Sequence, residues 1–212
     1  MYLPKHFEMT DKAVLTALMR EHSFATLVTH GEAGLLASHV PVLYSPERGP
    51  QGVLAGHVAR ANPHWQQLRP DREVLVIFQG PHAYVSPSWY QTKLAVPTWN
   101  YVAIHTYGRP RLLENEQELE ALLHATVGQY ESGRPAPWKF EPPTEYKAAQ
   151  MKAIVGFEIE VTRVEGKFKL NQNRKPEDIA GVIEALSQSE RPMERELAML
   201  MRNYYQERGP AT

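Results

Sequence analysis

From Ile154 onward the sequence alternates without a break. Val155, Phe157, Ile159 and Val161 are apolar, and Glu158, Glu160 and Thr162 stand between them. A period of two puts these sets on opposite faces of an extended chain, so the stretch is a strand buried on one side. Such one-sided burial belongs to antiparallel sheets, because parallel strands are covered on both faces and read as continuous apolar runs. The rest of the chain repeats the theme in sequential pairs. Residues 24–30 and 35–44 flank a turn at Gly31 to Gly34, a third strand covers 51–59, and a fourth covers 73–84 with an interruption at Gly80-Pro81. A fifth covers 100–113, and a turn at Glu165-Gly166 leads from the 154–162 strand into 167–170. No βαβαβ rhythm is present, which excludes a doubly wound parallel sheet.

Helical spacing fills the gaps. Thr10 is placed to cap a helix carrying Val14, Leu15, Leu18 and Met19. Pro63 opens a short helix through Trp65 and Leu68, and Pro87 to Tyr90 forms one turn. Glu116 to Tyr130 carries Leu119, Leu122, Leu123 and Val127 on one side. A proline-rich loop covers 133–143 and a short helix follows it, and two helices after Pro176 and Pro192 close the chain. The class is mainly β or α+β: a small antiparallel barrel with flanking and C-terminal helices. Residues 1–175 form the barrel domain, and 176–212 form a helical appendage packed on it.

Charge and composition remove several functions. The 212 residues hold 23 Lys/Arg and 24 Asp/Glu; residues 1–110 carry 9 against 7, and residues 111–212 carry 14 against 17. Neither half has the basic footprint of a nucleic-acid binder. The last helix interleaves Arg191, Arg195, Arg202 and Arg208 with Glu190, Glu194, Glu196 and Glu207, which is the pattern of a solvated face. No run of about 18 apolar residues offers a membrane span, and the N-terminus shows no signal-peptide pattern. The absence of cysteine excludes thiolate catalysis and zinc ribbons, and fits a reducing cytoplasm. Walker A, Gly-x-Gly-x-x-Gly, Gly-x-Ser-x-Gly and His-Glu-x-x-His patterns are all missing, so no catalytic or metal-ligating residue is nominated.

Four runs carry the chemistry. In Ala37-Ser-His-Val-Pro-Val-Leu43, His39 takes the face opposite Ser38 and Val40, as a hydrogen-bonded histidine or as a functional imidazole. In Gly56-His-Val-Ala-Arg-Ala-Asn-Pro-His-Trp65 a strand ends, Arg60 follows, and Asn62 caps a helix starting at Pro63. This is an ordinary cap or a phosphate cradle, since helix N-termini and guanidinium groups both favour anions. Gly80 to Tyr90 and Val96 to His105 alternate aromatic rings with hydroxyl and amide groups, and Lys93 lies between the two runs. That mixture suits a planar heteroaromatic ligand, a dimer interface, or a ligand lying between subunits. Lys169-Leu-Asn-Gln-Asn-Arg174 is polar and doubly positive, the pattern of a solvated loop before a helix.

These runs, with the opening Met-Tyr-Leu-Pro-Lys-His-Phe7 and Val96-Pro-Thr-Trp-Asn-Tyr101, resemble the PaiB-type family of FMN-binding negative transcriptional regulators over nearly the whole chain. The resemblance implies an FMN-binding split barrel and a homodimer with the flavin at the subunit interface. It places the phosphate near His39, His57, Arg60 and Asn62. The ring falls against Trp89, Lys93, Thr98, Trp99 and Asn100, supplied by the partner subunit, with Lys169 and Arg174 near the same cleft. DNA is the partner such a role implies, although the charge pattern does not support it. The rival functions are an FMN-dependent oxidoreductase acting on a small molecule and a haem-binding relative of the same fold.

Overall fold

A computed structural model describes residues 1–32 and 34–208. Its helices are α1 (Lys12–Glu21), α2 (Glu116–Glu131), α3 (Thr144–Lys152), α4 (Pro176–Ser187) and α5 (Pro192–Arg208). The strands are β1 (Glu8–Met9), β2 (Phe24–Gly31), β3 (Gly34–Ser45), β4 (Val53–Ala59), β5 (Val74–Val85), β6 (Thr98–Leu112) and β7 (Ile154–Lys169). The sheet order is β1-β7-β4-β3-β2-β5-β6, and β6 also pairs with β7. Six strands therefore close a ring of pairings, with β1 added on β7. The pairings β1–β7, β2–β3, β2–β5, β3–β4 and β4–β7 are antiparallel. The expected class, an α+β chain built on an antiparallel barrel, is the one observed.

The chain divides into two compact units. The central unit takes Thr16–Phe78 and His105–Val164; the terminal unit takes Met1–Leu15, Gln79–Ile104 and the described residues from Glu165 onward. In the central unit Leu27, Val42, Leu54, Val76, Phe78, Phe157 and Ile159 are buried, each from the apolar phase of its strand. In the terminal unit α4 buries Ile179, Val182 and Leu186, and α5 buries Leu197, Ala198 and Met201, spacings that put each set on one helical face.

Three local expectations change. The cap of α1 is Asp11, whose Oδ1 accepts from the N–H groups of Ala13 (2.9 Å) and Val14 (3.2 Å), and not Thr10. No turn exists at Glu165-Gly166. There β7 runs straight on because Glu8 and Met9 pair with Lys167 and Gly166. The segment opened by Pro63 is a five-residue 3-10 helix, Pro63–Gln67, too short for the aligned dipole that the phosphate-cradle argument used. Asn62 does cap it, accepting from the His64 N–H at 3.0 Å.

Candidate functional site

In the central unit two polar side chains of the 56–65 run, Asn62 and His64, turn inward. His64 is fully buried; its Nδ1 meets Ser38 Oγ at 2.8 Å and its Nε2 meets Thr29 Oγ1 at 2.9 Å. Asn62 Nδ2 donates to the same Ser38 Oγ (3.1 Å), and Thr29 Oγ1 donates to Gln67 Oε1 (2.6 Å). Both imidazole nitrogens are thus satisfied inside, and burial holds the His64 pKa below the ordinary histidine value. The network spans positions 29, 38, 62, 64 and 67, a separation that hides it from the sequence.

The other nominated residues of this unit have separate surroundings. His39 is exposed on β3, facing Thr26 across the β2–β3 pair with Nδ1 and Oγ1 at 3.0 Å. His57 is half-buried opposite Gly156, where a Cβ would meet Leu113 and Leu119. Residues opposite in register share a face, so His57 lies on the side covered by the start of α2. Burial lowers its pKa. Arg60 donates through Nε to the Lys152 carbonyl (2.7 Å) and through Nη2 to the Ile154 carbonyl (3.0 Å). Two of its five donors therefore tie down the end of α3.

The terminal unit gathers a different set. Thr98 and Asn100 share one face of β6. Lys169 Nζ donates to Thr98 Oγ1. Burial, with Lys167 close by, lowers the Lys169 pKa. Lys167 is buried, donates to the Tyr2 carbonyl at 2.8 Å, and lies 5.3 Å from the Tyr2 ring and 5.4 Å from the Tyr101 ring. Among the described residues neither lysine has a carboxylate partner, although Glu8 stands opposite Lys167 in register. Asn100 is fully buried; among the described residues its Nδ2 reaches only Met201 Sδ at 3.6 Å, and its Oδ1 has no partner. Trp99 is half exposed and stacks on His82 at 5.8 Å. Lys93 and Leu94, six and five residues earlier in the chain, are exposed, and Leu94 is 94% exposed.

Residues 171–181 surround Trp89 and its neighbours. Arg174 lies over the Tyr90 ring at 4.7 Å, and Asn171 Nδ2 donates to Tyr90 Oη at 3.1 Å. Asp178 accepts from the N–H groups of Gln91 (2.8 Å) and Thr92 (2.9 Å) and from the Thr92 hydroxyl (2.7 Å). Burial pushes its pKa up, but the Thr92 hydroxyl, the two N–H groups and Arg174 outweigh it and hold the carboxyl below its usual range. Sequence reading missed Asn171 and Asp178. An acid in the first turn of a helix reads as a dipole partner, and nothing local marks a receptor 86 residues away.

Several arginines elsewhere are already engaged by carboxylates or by hydrogen bonds. A cavity of about 610 Å³ in the central unit is lined by Trp65, Arg69, Arg111 and Glu118 among others. Arg69 pairs with Asp71 (3.2 Å), and Arg111 pairs with Glu118 (2.9 Å) and Glu158 (2.6 Å). Three arginines just before and within α5 are also engaged. Arg191 pairs with Glu194, Arg195 donates to the Ser189 carbonyl, and Arg202 donates to Ser187 Oγ. They fasten the α4–α5 joint. Among the described residues no helix is long and apolar enough to cross a membrane.

Comparison with known proteins sets these groups in context. Residues 1–163 match the family model described as "Putative FMN-binding domain". The chain is 38% identical, over 95% of its length and 96% of the relative's, to Protease synthase and sporulation protein PAI 2 of Bacillus subtilis. It is 33% identical to an uncharacterized protein of Emericella nidulans, covering 86% of this chain and 89% of that one. Among solved structures, the FAD and heme binding protein from Mycobacterium smegmatis superposes with a TM-score of 0.61, covering 82% of this chain and 78% of the other at 14% identity, which speaks to the fold alone.

Proposed function

The chain belongs to this FMN-binding family, and from that premise we propose that it is a homodimeric flavin-binding regulatory protein whose cofactor contacts Thr98, Trp99 and Lys169. The observation that carries the assignment is the pair Lys167, which is buried, and Lys169, which is half-buried, both without a carboxylate partner among the described residues. Burying a cation is costly unless an anion or several hydrogen bonds compensate it. FMN brings a dianionic phosphate and a ring edge rich in acceptors, so the donor set fits the cofactor. Lys169 and Thr98 donate to it, and Trp99 offers a ring face. When bound, FMN supplies reversible redox chemistry and a visible absorption band. The chain's own residues bind and orient it.

The dimer reading rests on exposed apolar surface. Phe24, Val28, Leu35, Ala37, Leu75 and Ile77 share one face of the β3–β2–β5 sheet by register, and none is buried. Phe24 is 70% and Leu35 77% exposed. Thr26 and His39 cross the same face, and an exposed surface this rich in apolar side chains supports an interaction site. The regulatory role takes its support from the Bacillus subtilis relative, whose name describes protease synthesis and sporulation and not a reaction.

The test is the absorption spectrum of the purified protein with FMN, before and after NAD(P)H, alongside its mass by light scattering. Flavin bands insensitive to NAD(P)H and a mass of two chains are expected. Bleaching by NAD(P)H overturns the regulatory reading in favour of an oxidoreductase. A Soret band replaces flavin with haem, and a mass of one chain removes the dimer.

A further inference from the structure

The segment between the turn at Pro87–Trp89 and the start of β6 at Thr98 divides sharply at Thr92. Residues 90–92 are each held by a residue from 171–181, and the Trp89 backbone lies against Gly181. Residues 93, 94, 96 and 97 are exposed. The hold is specific. The N–H groups of Gln91 and Thr92, consecutive in the chain, converge on one oxygen of Asp178, and the Thr92 hydroxyl takes the other. Successive N–H groups converging in this way form an anion-binding concavity, and here a carboxylate that is 1% exposed fills it. Beside it α4 approaches so closely that a Cβ on Gly181 would lie 2.1 Å from the Trp89 carbonyl oxygen. The loop leading into α4 is equally constrained. Asn171 takes a φ of 70°, the left-handed region that asparagine tolerates better than most residues, and so brings its amide to Tyr90 Oη.

We propose that Asp178 is a positioning residue of the flavin site: it fixes residues 91 and 92, and so presents Lys93 to Trp99 to the cofactor in one conformation. The inference deepens the assignment of FMN to Thr98, Trp99 and Lys169 and rests on it. Asp178 touches no cofactor in this scheme. It acts on the backbone that carries the contacts, by charge-assisted bonds to three donors of one short segment. Like Lys169, it lies beyond residue 163, where the family match ends.

The experiment compares wild type with Asp178→Ala, Asp178→Asn, Lys169→Ala and the core variant Leu27→Ala. FMN affinity is measured by fluorescence titration, and amide hydrogen exchange is measured over residues 90–98 without FMN. Asp178→Ala is expected to lose protection in that segment and to bind FMN at least about 10-fold more weakly, which corresponds to about 1.4 kcal/mol. Asp178→Asn keeps an acceptor for the two N–H groups and is expected to recover most of both. Leu27→Ala, destabilised at a site distant in sequence, is expected to bind as wild type does. Should Asp178→Ala fail to fold, Thr92→Val removes the hydroxyl bond and carries the same test with a smaller effect. Wild-type affinity or exchange in Asp178→Ala, with Lys169→Ala weakened, overturns the proposal and leaves the site standing. Wild-type affinity in Lys169→Ala overturns the site and the proposal with it. An equal loss in Leu27→Ala shows that affinity merely follows stability, and also overturns it.

Discussion

Alanine at position 181 should reverse the usual helix rule. In an exposed helix interior, glycine to alanine gains about 1 kcal/mol, because alanine has less backbone freedom to lose. Gly181 lies inside α4, but its added Cβ would stand 2.1 Å from the Trp89 carbonyl oxygen and 3.3 Å from the carbonyl carbon. Ordinary carbon–oxygen contacts begin near 3.3 Å, so one backbone must retreat by about 1 Å. The obstacle is main chain and cannot swing aside as a side chain can. Overpacking costs about 1–3 kcal/mol, and against main chain that cannot swing aside it falls in the upper part of that range, about 2–3 kcal/mol, which leaves a net loss of about 1–2 kcal/mol after the helix gain. For a chain of this size that lowers Tm by about 2–8 °C. Gly128, inside α2 with nothing within 4 Å of its added Cβ, is the matched control and should gain up to about 1 kcal/mol. Thermal unfolding followed by circular dichroism, run on both variants with and without FMN, decides the matter. A Gly181→Ala protein as stable as wild type, or more so, would refute the claim that α4 seats directly on the Trp89 backbone.

Stability should fall as the pH drops below about 6.5. Burial lowers the pKa of His64 and of His57, so the unfolded chain takes up protons there before the folded chain does. Their contribution is fully present above that pH and shrinks below it, and urea midpoints at pH 7.5 and 5.5 should differ less in a His64→Gln protein than in wild type. Lys169→Met should weaken FMN binding by about 10- to 150-fold, the equivalent of a charge-assisted bond of about 1.5–3 kcal/mol; a titration giving an unchanged Kd would move the cofactor elsewhere. Arg60→Ala frees the carbonyls of Lys152 and Ile154 and should cost about 1 kcal/mol of stability while weakening FMN less than Lys169→Met does; the reverse order would restore the phosphate role that its sequence setting suggests.

How far the sequence could be read depended on the distance between partners. The alternation of Val155, Phe157, Ile159 and Val161 is written in adjacent residues, and those four are buried as expected. Asn62 before Pro63 is an equally local signal and caps its helix. Gly166 misleads because its reason is remote. A Cβ there would lie 2.5 Å from Leu15 and 2.8 Å from the Met9 carbonyl, so the glycine admits β1 and does not turn the chain. The site shows the same division. Thr98, Trp99 and Lys169 stand out by type. Asp178 looks like any acid in a first helical turn until residues 91 and 92 are brought to it. The buried histidine was equally hidden: His64 is defined by Thr29 and Ser38, and no spacing rule joins those positions.

Ring closure also sets a timetable for synthesis. In the register β4 pairs with β7 from Val53↔Glu160 to Ala59↔Ile154, so one edge of β4 stays without its partner until about 100 more residues have been made. At about 5–20 residues per second, the ribosome takes about 5–20 s to deliver them. For that interval Val53–Ala59, an apolar stretch with one histidine, presents unpaired N–H and C=O groups, the kind of edge that templates aggregation. Chains released between residues 60 and 153 in a chaperone-free translation system should therefore precipitate more readily than chains released after residue 170.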